Sequence, residues 1–192
     1  SYFLEAAQIS PLPVMLYQIP AFANALSSDL ILELSEEPNI IGIKDSSRDF
    51  VAFTWLLSVL RTHRPDFSIL IGTEELLLPA LFMGADGGAL ASSGIVPEAV
   101  LGLYHAWQQG DHPAALQWQN ALLPLIQSMF TPDFPAGFRA GAAARGFSMG
   151  LGRQPLSPEQ VARLEVLRTE LHAAISTLLN VGDCSEINAR IG

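Results

Sequence analysis

Cysteine is almost missing: the 192 residues hold one, Cys184. A single thiol excludes an internal disulfide, and one this late, with no paired histidine, reads as incidental rather than nucleophilic. A reducing, cytoplasmic compartment is the expectation. Basic residues are scarce, 10 against 19 acidic, for a net charge of −9. That argues against nucleic acid, whose phosphates call for a basic footprint. No charged-then-apolar signal opens the sequence and no apolar run is long enough for a bilayer, so no membrane partner is expected. The four histidines, His63, His105, His112 and His172, are scattered over predicted helices, and no metal site is expected. Phosphate-loop and dinucleotide fingerprints are absent, because Gly150-Leu151-Gly152 does not stand between a strand and a helix. Neither fixed-period repeats nor low-complexity segments occur.

What is present is apolar. Hydrophobic residues make up 49% and the mean hydropathy is +0.32, enough for a sizeable core. Short apolar runs alternate with helical spacing. Strands are predicted at 13–19, 39–44, 67–72 and 86–91. The helices that follow them are predicted over 27–36, 49–63, 74–83 and 97–109. Within 49–63, Phe50, Phe53, Trp55, Leu56, Leu57 and Leu60 supply the bulk. The strands are apolar throughout rather than alternating, which implies a parallel sheet covered on both faces. After Gly110 the strand signals stop. Helices are predicted over 112–130 and 138–147, and a last one opens at Ser157-Pro158-Glu159. Its seam is Val161, Leu164, Leu167, Leu171 and Ile175, and a polar tail follows Asn180.

Four βα units with a helical appendage leave two architectures: a flavodoxin-like open sheet, or a (β/α)8 barrel lacking its first half. The second fits better, since a whole barrel takes roughly 250 residues and the opening stretch from Ser1 to Ile9 reads as the tail of a helix. The expected fold is therefore α/β, the C-terminal half of a TIM (β/α)8 barrel over 1–110, with a helical extension over 111–192.

Lys44 ends the apolar run Ile40-Ile41-Gly42-Ile43. Lysines are rarely buried without a reason, and apolar surroundings disfavour the ammonium form. A neutral amine can attack a keto group to give an imine. Tyr17 ends the preceding strand and should face the same mouth, where its phenol could relay protons. A satisfied packing tyrosine is the bland alternative. Gly72-Thr73-Glu74-Glu75 opens a helix, with Thr73 as N-cap and two acids suiting the helix dipole. Glu74 or Glu75 could instead recognise hydroxyls. Gly87-Gly88 and Ser92-Ser93-Gly94 leave room for a carboxylate, or are ordinary turn chemistry.

The segments Leu16-Tyr17-Gln18-Ile19-Pro20, Gly42-Ile43-Lys44-Asp45-Ser46-Ser47 and Gly84-Ala85-Asp86-Gly87-Gly88 resemble the dihydrodipicolinate synthase / N-acetylneuraminate lyase family, from the start to about Pro158. These are class I aldolases on a TIM barrel with a C-terminal helical extension. The resemblance implies that Lys44 forms a Schiff base with pyruvate or another 2-keto acid, with no cofactor beyond that covalent imine, and that Tyr17 shuttles protons. It implies that Gly72 and Leu90 line the keto-acid pocket. Ser46, Glu74, Glu75 and Ser92 match positions that meet the rest of the substrate in sialic-acid-type members. It further implies a homotetramer, a dimer of dimers.

Two departures stand out. Phe22 occupies the place where dihydrodipicolinate synthases carry a carboxylate-binding arginine. The expectation is therefore an aldolase of the 2-keto-3-deoxy sugar acid, hydroxy-oxoglutarate or sialic-acid type. The family's Gly-Thr-Thr-Gly-Glu-type loop, which binds the pyruvate carboxylate, belongs to the first half and is not in this sequence. A half barrel that binds or assembles without catalysis is the alternative expectation.

Overall fold

The computed structural model describes residues 2–180 except 133, 151 and 154. Cys184 and the tail beyond Asn180 lie outside the described residues. The chain falls into two compact units, Ser1–Leu90 and Ala91–Gly192.

The first unit is a four-stranded parallel sheet in the order β1-β2-β3-β4, with β1 Val14–Gln18, β2 Ile40–Asp45, β3 Ser68–Ile71 and β4 Gly87–Gly88. Helix α1 (Tyr2–Ile9) precedes it, and α2 (Ser28–Ser35), α3 (Phe50–His63) and α4 (Leu77–Phe82) connect the strands. Their starts follow from capping: the Ser27 side chain accepts from Leu30 N, and that of Asp49 from Ala52 N. Phe53, Leu56, Leu57 and Leu60 of α3 are buried at helical spacing, while Trp55 stays half exposed on the outer side.

Burial alternates along the strands, contrary to the expected two-sided cover. Leu16, Ile43, Ile69 and Ile71 are buried, whereas Met15 is 40% and Tyr17 47% exposed. The physical reason is that α2, α3 and α4 shield one face of the sheet, leaving the side chains of the other face accessible.

Two further differences concern the third and fourth units. The expected helix over 74–83 begins as a 3-10 turn, Glu74–Leu76, before α4. Thr73 sits at its cap position without a side-chain capping bond and is buried instead. The expected strand over 86–91 shrinks to Gly87–Gly88, because glycines give a strand no side chains to pack. The backbone still runs alongside β3, with Asp86 N donating to Ile69 O at 3.0 Å and Ala89 N to Ile71 O at 2.9 Å.

The strands' N-terminal ends are held by side chains bonding to carbonyls. Asn39 Nδ2 reaches Ala7 O (2.7 Å), Ser10 O (3.2 Å) and Leu12 O (3.1 Å). Arg64 donates to the carbonyls of Ser35, Glu37 and Ile40. Arg61 donates to Phe67 O and Gly84 O and pairs with Asp86 at 2.6 Å, whose carboxylate also accepts from Ile69 N.

The second unit is helical: α5 (Pro97–Gln108), α6 (His112–Phe130), α7 (Ala136–Ala144) and α8 (Pro158–Leu179). Helix α7 covers 136–144 rather than 138–147, ending before Gly146, whose φ is +88°. A capping box between Ser157 and Gln160 opens α8. Only the lower part of the expected α8 seam is buried, Leu171 and Ile175 joined by Leu178; Val161 is exposed. The core of this unit is the α5–α6 contact, where Trp118 lies against Gly102. A Cβ on Gly102 would sit 2.6 Å from Trp118 Cε2. Gly102→Ala should therefore cost about 1–3 kcal/mol, because the two helices must separate to admit the methyl. Urea unfolding of the whole protein checks it, and an unchanged midpoint would show that the helices give way freely.

Candidate active site

Parallel register places Tyr17 opposite Lys44 and Lys44 opposite Leu70. Because strand side chains alternate, these three share one face, the accessible one. Lys44 is half-buried and its Nζ lies 4.4 Å from the centroid of the Tyr17 ring. The aromatic face thus supports the amine from the neighbouring strand. The two chemistry-bearing residues expected from the sequence are brought together.

Gly72 makes space for the lysine stem. A Cβ there would lie 2.8 Å from Lys44 Cε, 2.0 Å from Ser46 Oγ and 3.1 Å from Asp45 O. The hydroxyl of Ser46 donates to Gly72 O at 3.4 Å, and Gly72 N donates to Asp45 O at 2.6 Å. Lys44, Ser46 and Gly72 therefore form one packed group where β2 and β3 end. Leu90 is buried, its Cγ 3.1 Å from where a Cβ on Gly88 would lie.

Glu74 is buried, whereas Glu75 reaches Arg48 at 3.8 Å. Phe22 sits exposed on the loop after β1, its N–H donating to Ile19 O. Ser92 belongs to the second unit, where it is fully buried and its carbonyl accepts from Ile95 N and Val96 N.

Several contributors escaped the sequence reading. Gln18 is buried beneath the sheet, and its amide clamps Leu26, Nε2 to O and N to Oε1, both at 2.9 Å. That clamp closes the loop carrying Phe22. The available signal was a polar residue ending an apolar strand. Arg48 has a φ of 66°, the one positive value at a non-glycine among the described residues. That conformation costs a residue with a Cβ roughly 1–2 kcal/mol. Composition held a third signal: of the ten basic residues nine are arginines, and Lys44 is the one lysine.

Asp45 points to the helix-covered face, where it is buried and its Oδ1 accepts from Ser47 N at 2.7 Å. Burial raises its carboxyl above the ordinary 3.8; the bonds from Ser47 oppose the rise and the charge of Asp49 adds to it. Among the described residues no group of three or more His, Cys, Asp or Glu could hold a metal ion, and no helix is long and apolar enough to cross a membrane.

The four-stranded parallel sheet with its connecting helices makes this an α/β protein, and its fold resembles the TIM-barrel type. The model of the dihydrodipicolinate synthetase family matches residues 1–176, and the chain belongs to that family. A 4-hydroxy-tetrahydrodipicolinate synthase of Exiguobacterium sp. is 34% identical over 160 residues, 82% of this chain and 53% of the relative. One from Methanosphaerula palustris is 32% identical over 163 residues, 82% of this chain and 55% of the relative. The chain thus spans about half the length of these curated relatives. Among solved structures it resembles YagE, a prophage protein of the dihydrodipicolinic acid synthase family from E. coli K12, solved in complex with pyruvate. The TM-score is 0.78 with 29% identity, over 88% of this chain and 59% of that one. The fold also matches N-acetylneuraminate lyase from Mycoplasma synoviae, with a TM-score of 0.75 at 21% identity, over 91% of this chain and 58% of that one.

Two outcomes follow from this geometry. Gly72→Ala should destabilise by about 1–3 kcal/mol through overpacking against the lysine stem, measured by denaturant unfolding. An unperturbed variant would mean that the stem moves aside at no cost. Asp45 binds its proton more tightly folded than unfolded, so its contribution to stability is complete below pH 3.8 and is lost as pH rises through the elevated folded value. Asp45→Asn should therefore gain stability over the wild type at neutral pH, with the gain gone below 3.8. Equal differences at both pH values would contradict this.

Proposed function

We propose that this chain supplies the C-terminal half of a (β/α)8 barrel and its helical extension in a Schiff-base lyase acting on pyruvate-derived 2-keto acids. The observation that carries the reading is the Lys44 amine resting over the Tyr17 ring beside the space left by Gly72. In the proposed reaction Lys44 Nζ attacks the C2 keto carbon, and loss of water gives an iminium. Tyr17 gives its phenolic proton to the hydroxide that leaves as water, and the resulting phenolate takes the proton from the C4 hydroxyl. The C3–C4 electron pair then flows to the iminium nitrogen, releasing an aldehyde and leaving the enamine of pyruvate. Protonation at C3 and hydrolysis return pyruvate and free lysine. Condensation is the reverse. No cofactor is required, since the imine is the electron sink.

Phe22 supports a sugar-acid, hydroxy-oxoglutarate or sialic-acid-type aldehyde over dihydrodipicolinate synthesis, although the curated relatives described above are named as synthases. Ser46, Glu74, Glu75 and Leu90 complete the proposed substrate surroundings within the first unit. The same proposal includes a cytoplasmic homotetramer built as a dimer of dimers. One observation favours a second reading, a half barrel acting as a binding or assembly module: Met15 and Tyr17 are exposed on the uncovered face.

Pyruvate and borohydride separate the two. Treating the whole protein should leave a stable adduct on Lys44, and Lys44→Arg should abolish it, because a guanidinium keeps the charge without forming the imine. No adduct, or one at another amine, would favour the non-catalytic reading. Tyr17→Phe keeps the ring beneath the amine, so the adduct should persist while kcat falls roughly 10²–10⁴-fold, the usual worth of a proton-transfer group.

A further inference from the structure

Asp45 is a buried carboxylate that the proposed reaction does not use. It is 5% exposed, and burial raises its pKa, so keeping it ionised costs stability. The start of α3 does not call for it, because Asp49 already caps that helix. A group kept at a cost beside a nucleophile is a candidate for function rather than for folding.

Its bonds define what it holds. Asp45 Oδ1 accepts from Ser47 N at 2.7 Å, which closes a turn directly after the lysine. Ser47 Oγ accepts from Asp49 N at 3.1 Å, so the path from β2 into α3 is tied at successive residues. On the backbone side, Asp45 O accepts from Gly72 N at 2.6 Å, and Ser46 N donates to Gln18 O at 2.8 Å. Asp45 therefore bonds the end of β3 through its carbonyl and its own turn through its carboxylate. Ser46 lies between those two bonds, with its hydroxyl on Gly72 O. A Cβ on Gly72 would lie 2.0 Å from Ser46 Oγ and 2.8 Å from Lys44 Cε, so the hydroxyl and the lysine stem border one small volume. The turn that Asp45 closes sets one wall of that volume.

We infer that Asp45 is a positioning residue of the Lys44 site: by holding Ser47 N it keeps Ser46 against Gly72 and confines the lysine stem between β2 and β3. The role belongs to the geometry of the oxygen acceptor and not to its charge. The inference rests on the Schiff-base reading and adds to it a residue on the opposite face of β2.

The test follows formation of the pyruvate adduct on the whole protein over time, stopping samples with borohydride and reading the added mass. Lys44 is the one lysine, so the modified peptide is assigned without ambiguity. Asp45→Asn retains an acceptor for Ser47 N and should form the adduct at close to the wild-type rate. Asp45→Val supplies a strand-forming side chain with no acceptor. Its adduct should form roughly 10–100-fold more slowly at saturating pyruvate, the cost of a misplaced reacting group. The melt of each variant is recorded alongside, and Asp45→Ala replaces Asp45→Val if the branched side chain prevents folding. In a Ser46→Ala background the loss from Asp45→Val should shrink, because the two residues act through one contact. A purely structural role would lower the melting temperature and leave the rate per folded molecule intact, which overturns the inference. An Asp45→Asn rate as low as that of Asp45→Val overturns it too, since charge would then govern. Full additivity with Ser46→Ala does the same. Absence of the adduct in wild type overturns the Schiff-base reading, and this inference with it.

Discussion

The close approach of β2 and β3 at Gly72 governs the site. Its N–H donates to Asp45 O at 2.6 Å, the Ser46 hydroxyl reaches its carbonyl, and Lys44 Cε runs through the volume a side chain would fill. The pleat does the rest of the placing. Parallel register puts Tyr17 and Lys44 side by side, so their facing is a property of two strands rather than of flexible loops. On the opposite face the same residue run buries Ile43 and Asp45 beneath the helices.

The two ends of the sheet are built differently. At the N-terminal ends the chain spends polar side chains on backbone carbonyls: Asn39, Arg61 and Arg64 each hold two or more. At the C-terminal ends Gln18 and Ser46 each bond the backbone of one neighbouring segment, and beside them lies the exposed Arg48–Glu75 pair. That asymmetry is the division of labour expected of βα folds, in which the loops after the strands carry the chemistry and the opposite end carries stability.

Much of this was legible in advance. The apolar runs at 13–19 and 39–44 locate β1 and β2, and the parallel register then brings the tyrosine and lysine at their ends onto one face. Other features depended on tertiary context. Gly87-Gly88 promised a strand of six residues and gave two, since a ladder can continue in hydrogen bonds without strand-like side-chain packing. Trp55 and Val161 fit helical periodicity but lie on the outer side, because spacing alone does not fix how wide the buried stripe is. The Gln18 clamp and the φ of Arg48 are set by loop closure, which has no periodic signature.

The guanidinium clamps at the floor of the sheet carry one more consequence. Arg61 and Arg64 make fork-shaped contacts with several carbonyls at once, which an ammonium could satisfy less completely. Guanidinium groups do not condense with ketones at neutral pH. A carbonyl compound meeting these 192 residues therefore encounters a single side-chain amine. In the proposed chemistry, selectivity for one nucleophile is written into composition as well as into shape: the residues that hold the scaffold together are chemically silent toward the substrate that Lys44 would capture.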